Sequence, residues 1–241
     1  MRIFAKTDKG KVRSVNQDAF TANVLSDGAA LAVVCDGMGG ASAGDIASKT
    51  AVEIISQYVL NAYTPTMTSD DIEKLLINAI VSANIEVYTL SKKDEQLNGM
   101  GTTVVVTIAK DNQAVICNVG DSRAYLVNDD LTQITRDHSV VQTLVESGNL
   151  SPEQAKNHPE KNVITRALGV EENVIADGFC IPLGENDKLL LCTDGLSNYA
   201  NKESILNITK GDVLDKMTDS LIKEANDGGG RDNITAAVIS H

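Results

Sequence analysis

Apolar residues return along this chain in two periods. Short runs rich in Val, Ile, Leu and Ala, at about 2–7, 30–35, 102–109, 113–119, 123–128, 174–180, 187–193 and 234–240, predict strands. Two longer segments follow the helical period instead. Over 43–61, Ile46, Ala47, Ile54, Ile55, Tyr58 and Val59 fall on one face. Over 69–91, after the polar opening Ser69-Asp70-Asp71, the face is Ile72, Leu75, Leu76, Ala79, Ala83 and Leu90. Weaker helical patterns occupy 201–208 and 212–226, the second after the start signal Gly211-Asp212. From 137 to 166 the pattern breaks into short helical pieces at 140–147 and 152–157, with many polar residues and two of the three histidines. That stretch predicts an appended surface flap at about 139–166. Strands, then two helices, then hairpin strands and a mixed end do not make a regular βαβ alternation. The order predicts an α+β layered sandwich of antiparallel sheets with helices packed outside.

No repeat, low-complexity tract or linker interrupts residues 1–241, so a single domain is expected. With no Trp, three Phe and five Tyr, the core must be aliphatic, and there is little material for base-stacking platforms. The formal net charge of −12 argues against a surface that seeks nucleic acid or membrane lipid, since both demand clustered Lys and Arg. Any phosphate chemistry must then be local. Cys35, Cys117, Cys180 and Cys192 lack both paired and metal-ligand spacing and sit in apolar runs, so they read as reduced core residues. No apolar signal region opens the chain and no run is long enough to span a bilayer, which predicts a cytoplasmic protein. No oligomerisation seam stands out, and a monomer is expected.

Four times the pattern sets an aspartate at the end of a predicted strand. The sites are Cys35-Asp36-Gly37, Val119-Gly120-Asp121, Thr193-Asp194-Gly195 and, in reverse order, Arg231-Asp232-Asn233 before Ile234. One Asp-Gly is ordinarily a turn. Repeated at strand ends, such acids can converge, and a neighbouring glycine leaves room for a hard cation that takes oxygen ligands. Were Asp18, Asp36, Asp121, Asp194 and Asp232 to gather, their repulsion would reach several kcal/mol at intermediate dielectric, which only cations offset. All-oxygen ligands favour Mg²⁺ or Mn²⁺, with no His or Cys cluster to select zinc. Two such ions could polarise a phosphate and activate a water. Arg13, five residues before Asp18, could bind phosphate oxygens bidentately beside them.

These residues also carry a resemblance. The chain resembles the metal-dependent protein phosphatase family, of the protein phosphatase 2C type, and in particular its compact bacterial single-domain members. The matching stretches are Thr7-Asp8 with Arg13-Ser14-Val15-Asn16-Gln17-Asp18, Asp36-Gly37-Met38-Gly39-Gly40, Met100-Gly101-Thr102-Thr103 and Val119-Gly120-Asp121-Ser122-Arg123. They continue through Asp137-His138-Ser139 and Thr193-Asp194-Gly195-Leu196 to Gly229-Gly230-Arg231-Asp232-Asn233-Ile234-Thr235. The resemblance implies a four-layer α-β-β-α sandwich, two central antiparallel sheets flanked by helices, with the flap influencing substrate choice. It implies metal-dependent hydrolysis of phosphoserine and phosphothreonine in proteins, countering a bacterial serine/threonine kinase. Asp36 would bridge two ions, Gly37 would offer its carbonyl to one, and Asp194 and Asp232 would complete the other. Asp18 would hold metal-bound water or a metal directly, Asp121 with Asp194 would form a third site, and Arg13 would bind substrate phosphate.

One position departs from the family. Many bacterial relatives follow Gly-Met-Gly-Gly with a histidine suited to be a general acid, and here Ala41-Ser42 follows. Either metal-bound water at the Asp121 site or His138 would have to replace it, or turnover of poor leaving groups would be slow. A competing reading is a degenerate phosphoprotein-binding module, which would be expected to lack some of these acids. All five carboxylates are present.

Overall fold

Each central strand is buried on both faces, and its side chains alternate between two different cores. The computed structural model describes residues 1–40, 43–211 and 213–241. Among them, one sheet runs in the order β1 (Arg2–Asp8), β11 (Ile234–Ser240), β10 (Lys188–Cys192), β7 (Arg123–Val127), β8 (Leu131–Gln133). The other runs β2 (Asp18–Val24), β3 (Ala30–Met38), β5 (Val104–Lys110), β6 (Gln113–Val119), β9 (Asp177–Pro182), with β4 (Gly101–Thr102) against the end of β3. All pairings are antiparallel.

Three cores separate four layers. On β3, Leu31, Val33 and Cys35 face α1 (Ala43–Ala62) and α2 (Ser69–Lys93), joining Ile55, Leu76, Ile80 and Val87 in one cluster. The alternate residues Ala30, Ala32 and Val34 enter a middle cluster with Leu189, Leu191, Ala237 and Ile239 of the first sheet. The other faces of β10 and β11, with Leu190, Cys192, Ala236 and Val238, pack on Ile205 of α6 (Lys202–Thr209) and on Met217 and Leu221 of α7 (Leu214–Asp227). Strand period two thus builds the α-β-β-α sandwich directly. Each fully buried aliphatic chain contributes about 1.5–3 kcal/mol, and the middle layer is almost wholly aliphatic.

Helix α2 starts at a capping box: Thr68 Oγ1 accepts the Asp71 amide while the Asp71 carboxylate accepts the Thr68 amide. Residues 139–166 hold α3 (Val140–Glu146) and α4 (Pro152–Ala155), closed at the base by an antiparallel bridge between Ser139 and Ile164.

Several expectations shift. Strands β2 and β8 fall outside the predicted runs, and the strand expected over 174–180 lies at Asp177–Pro182. A short helix α5 (Asp194–Ser197) turns the chain after β10. Ile46 is more than a third exposed, because the buried stripe of α1 runs through Ala43, Ala47, Ala51 and Ile55, one position round from it. Cys180 is exposed on edge strand β9, whereas Cys35, Cys117 and Cys192 are buried free thiols. The helix-start residue Asp212 lies outside the described residues.

Candidate metal centre

Antiparallel pairing collects the acids. Asp18 opens β2 and is paired in register with Asp36 near the end of β3. Asp121 follows the end of β6, Asp194 follows β10, and Asp232 precedes β11. Strand beginnings and strand ends alternate along an antiparallel sheet, so all five carboxylates reach one end of the sandwich. Arg13, Asp36, Gly37, Asp121, Asp194 and Asp232 border one cleft of about 240 Å³, with Gln17, Thr103 and Asn233 in its wall. Asp18 lies behind them, only 5% exposed.

Local bonds hold each side chain there. The Asp36 amide donates to Thr103 Oγ1 at 3.0 Å, and its carbonyl accepts the Thr103 amide at 2.9 Å and the Thr102 hydroxyl at 2.9 Å. Gly37 has no room for a side chain, since a Cβ would come 2.0 Å from the Gly44 carbonyl oxygen in the first turn of α1. Gly120 sets the direction of Asp121 from the left-handed region at φ +102°, with Thr103 packed where its Cβ would be. Asp18 Oδ2 accepts hydroxyl bonds from Thr193 at 2.9 Å and Thr235 at 2.6 Å. Asn233 ties down the loop that carries Arg13: its Nδ2 donates to the Lys9 and Val15 carbonyls, each at 2.9 Å, and its Oδ1 accepts the Gln17 amide at 2.8 Å. Arg13 Nη2 in turn donates to Asp232 Oδ2 at 2.8 Å.

The electrostatics of this arrangement call for positive charge. Burial, followed by the fields of Asp18, Asp194, Asp121 and Asp232, pushes the Asp36 carboxyl well above its ordinary range. Burial raises Asp18 to about 7 against the pull of its two threonine hydroxyls, and raises Asp121 to about 7 with Asp194 adding to it. Asp194 rises to about 6 through burial and the field of Asp232. Asp18 Oδ1 and Asp194 Oδ1 are buried with no hydrogen-bond partner. Buried carboxylate oxygens left unpaired are costly, and a hard cation satisfies both their charge and their lone pairs. Among the described residues no three acidic, histidine or cysteine side chains form a ready-made cage. An ion shared across this cleft would complete its shell with backbone oxygen and water, the habit of Mg²⁺ and Mn²⁺. The donor set fits such ions.

Compared at the level of families, residues 8–231 match Protein phosphatase 2C. The chain belongs to the protein phosphatase 2C family. It is 42% identical over 236 residues to the serine/threonine phosphatase stp of Listeria monocytogenes, covering 97% of this chain and 93% of that one. Its fold is similar to that of the serine/threonine phosphatase Stp1 from Staphylococcus aureus, with a TM-score of 0.92, 34% identity, and coverage of 99% and 94% of the two chains. It is also similar to the catalytic domain of the serine/threonine protein phosphatase PstP in complex with two manganese ions, at a TM-score of 0.86 and 33% identity, covering 98% and 96%. The protein phosphatase 2C family is metal-dependent, in keeping with the acidic cleft.

Within this protein phosphatase 2C fold, His138 does not stand in for the missing histidine. It is 2% exposed and outside the cleft wall. Its Nδ1 accepts the Gly120 amide at 3.0 Å, and its Nε2 faces Asp177 Oδ2 at 3.2 Å and Arg166 at 3.2 Å. Burial lowers its pKa, which keeps the ring a neutral brace for the Gly120–Asp121 turn. Ala41 and Ser42 lie outside the described residues. Sequence reasoning assigned no role to Thr103, Asn233, Thr193 or Thr235, which position the acids. All four stood inside the quoted motifs, where Thr193 and Asn233 adjoin the strand-end acids Asp194 and Asp232; Thr103 has no acid near it in sequence and only the fold brings it to Asp36.

Proposed function

We propose that this chain hydrolyses phosphoserine and phosphothreonine esters in proteins, with divalent cations held in the cleft at the end of the sandwich. The observation that carries this reading is one cleft holding Asp36, Asp121, Asp194 and Asp232 beside Arg13, with Asp18 buried behind. Asp36 would serve both of two Mn²⁺ or Mg²⁺ ions, Gly37 would offer its carbonyl to one, Asp194 and Asp232 would complete the other, and Asp121 with Asp194 would form a third site. When bound, the ions would neutralise phosphate oxygens and lower the pKa of a water to make it a nucleophile.

The chain's own residues do the rest. Asp36, Asp194 and Asp232 fix where the positive charge sits, and their threonine and asparagine partners keep that geometry rigid. Arg13 binds the phosphate, presenting the guanidinium donors not engaged with Asp232. Its side chain is half exposed at the mouth, where a phosphorylated side chain enters.

The whole chain is read as one catalytic domain with residues 139–166 as its flap, working as a monomer in the cytoplasm against the products of a serine/threonine kinase. No described helix is long and apolar enough to cross a membrane, and the charge of −12 disfavours nucleic acid. The test is phosphate release from a phosphothreonine peptide with Mn²⁺, with EDTA, and by Asp194→Ala. Release should require Mn²⁺ and fall roughly a thousandfold or more in the variant, the scale of several kcal/mol of charge stabilisation. Undiminished turnover by Asp194→Ala would reject the site, and phosphopeptide binding without release would favour the binding-module reading.

A further inference from the structure

Beside the metal cleft lies a second cavity of about 450 Å³ that shares Met38 and Ile164 with it. Ala167, Val170, Val174 and Ile175 make up the aliphatic half of its remaining wall, with Thr165, Arg166, Glu171 and Asn173 as the polar half. Val170 is 48% exposed and Ile175 73%, so two large aliphatic side chains of this wall lie open next to an acidic site. The one cationic side chain in the wall, Arg166, is already engaged by Asp177 Oδ1 at 2.8 Å.

This wall is held by a built clamp. Asn84 on α2, 1% exposed, accepts the Gly169 amide on Oδ1 at 2.8 Å and donates from Nδ2 to the carbonyls of Glu171 at 3.1 Å and Glu172 at 3.0 Å. Leu168 and Thr102 exchange backbone bonds at 2.9 and 3.1 Å, fastening the same segment to β4. The apolar concavity is therefore pre-formed, as ligand sites usually are.

We propose that this cavity is a subsite for an apolar side chain flanking the phosphorylated residue of the protein substrate, an inference that rests on the phosphatase reading above. Its occupant follows from continuity with the cleft. A chain whose phosphoryl group sits at Arg13 advances about 3.3–3.6 Å per residue when extended, so a neighbour one or two positions away reaches the wall formed by Met38 and Ile164. Arg166 is already paired with Asp177, so an acidic neighbour would meet the uncompensated charge of Glu171, whereas an aliphatic one buries apolar area on both sides against Val170, Val174 and Ile175. The subsite sets substrate choice through the sequence beside the phosphoresidue.

The test uses phosphothreonine peptides in a Gly/Ser host with one Leu placed in turn at the two positions on either side, compared with the Leu-free peptide. The purified full chain is assayed with Mn²⁺, and p-nitrophenyl phosphate is run alongside as a substrate with no flanking chain. At one position Leu should raise kcat/KM roughly tenfold or more, the scale of one buried aliphatic side chain. Ile175→Asp should bring the ratio of Leu to Leu-free peptide close to one, and Ile175→Leu should retain it. Equal kcat/KM at all four positions would overturn the subsite, and so would a preference undiminished in Ile175→Asp. Failure of the native protein to hydrolyse either p-nitrophenyl phosphate or any peptide would instead reject the phosphatase reading, and the subsite with it.

Discussion

The acids of the cleft differ in what neutralises them. Asp232 has the Arg13 guanidinium at 2.8 Å, and Asp18 has two threonine hydroxyls. Asp36 lies among four other carboxylates whose fields, after its burial, dominate its surroundings. Arg13 neutralises Asp232, and on the proposed reading it also offers donors to an incoming phosphate, two duties that substitution separates. A charged hydrogen bond to phosphate is worth about 1.5–3 kcal/mol, whereas the Asp232 contact is solvent-exposed on the arginine side and screened. Arg13→Ala should raise KM for a phosphothreonine peptide about tenfold or more while Mn²⁺ affinity, read by calorimetry, stays within a few-fold. A collapse of Mn²⁺ affinity with KM unchanged would reverse the assignment and make Arg13 a support for the metal ligands.

At the scale of elements, what could be read in advance depended on how each segment earns its place. Strands β3, β5, β6, β10 and β11 are buried on both faces, so their sequences are continuous aliphatic runs and were legible. Strand β2, with the sequence DAFTANV, is a half-buried edge rich in Ala, Asn and Thr, and only its register with β3 makes it a strand. Strand β8 has three residues paired to β7, too short for a pattern. The acids were legible because glycine and strand ends mark them; the cavity wall at 164–175 was not, because a tertiary bond defines it. That bond is Asn84, a polar residue on the buried face of α2. Asn84→Ala should leave the Gly169 amide buried and unpaired and cost about 1–3 kcal/mol of unfolding free energy, measured by urea titration with an unchanged m-value. A loss below a few tenths of a kcal/mol would mean that the segment is held by its backbone bonds to β4 alone.

For the molecule as a whole, the acid cluster makes stability, pH and metal one linked quantity. Without bound metal, burial and mutual repulsion raise Asp18 and Asp121 to about 7 and Asp194 to about 6, against an ordinary value of 3.8, and raise Asp36 well above that value. Between these values the unfolded chain has released protons that the native state keeps, so stability falls as pH rises. The contribution is fully present below about pH 4 and lost as pH climbs through about 7. On the proposed reading a divalent cation would replace those protons, and its binding should strengthen over the same window. Net charge of −12 adds a general repulsion in the same direction, so the informative quantity is the difference between paired samples with Mn²⁺ and with EDTA. At pH 8, Mn²⁺ at a hundred times its dissociation constant stabilises by about 2.7 kcal/mol, which raises Tm by roughly 5–10 °C for a chain of this size. At pH 5 the same Mn²⁺ concentration should raise it by a small fraction of that. Calorimetric scans across pH 5–8 decide the matter: a Mn²⁺ increment independent of pH would mean that the ions bind away from the buried carboxylates, and an increment that grows with pH and vanishes in Asp194→Ala ties them to the cleft.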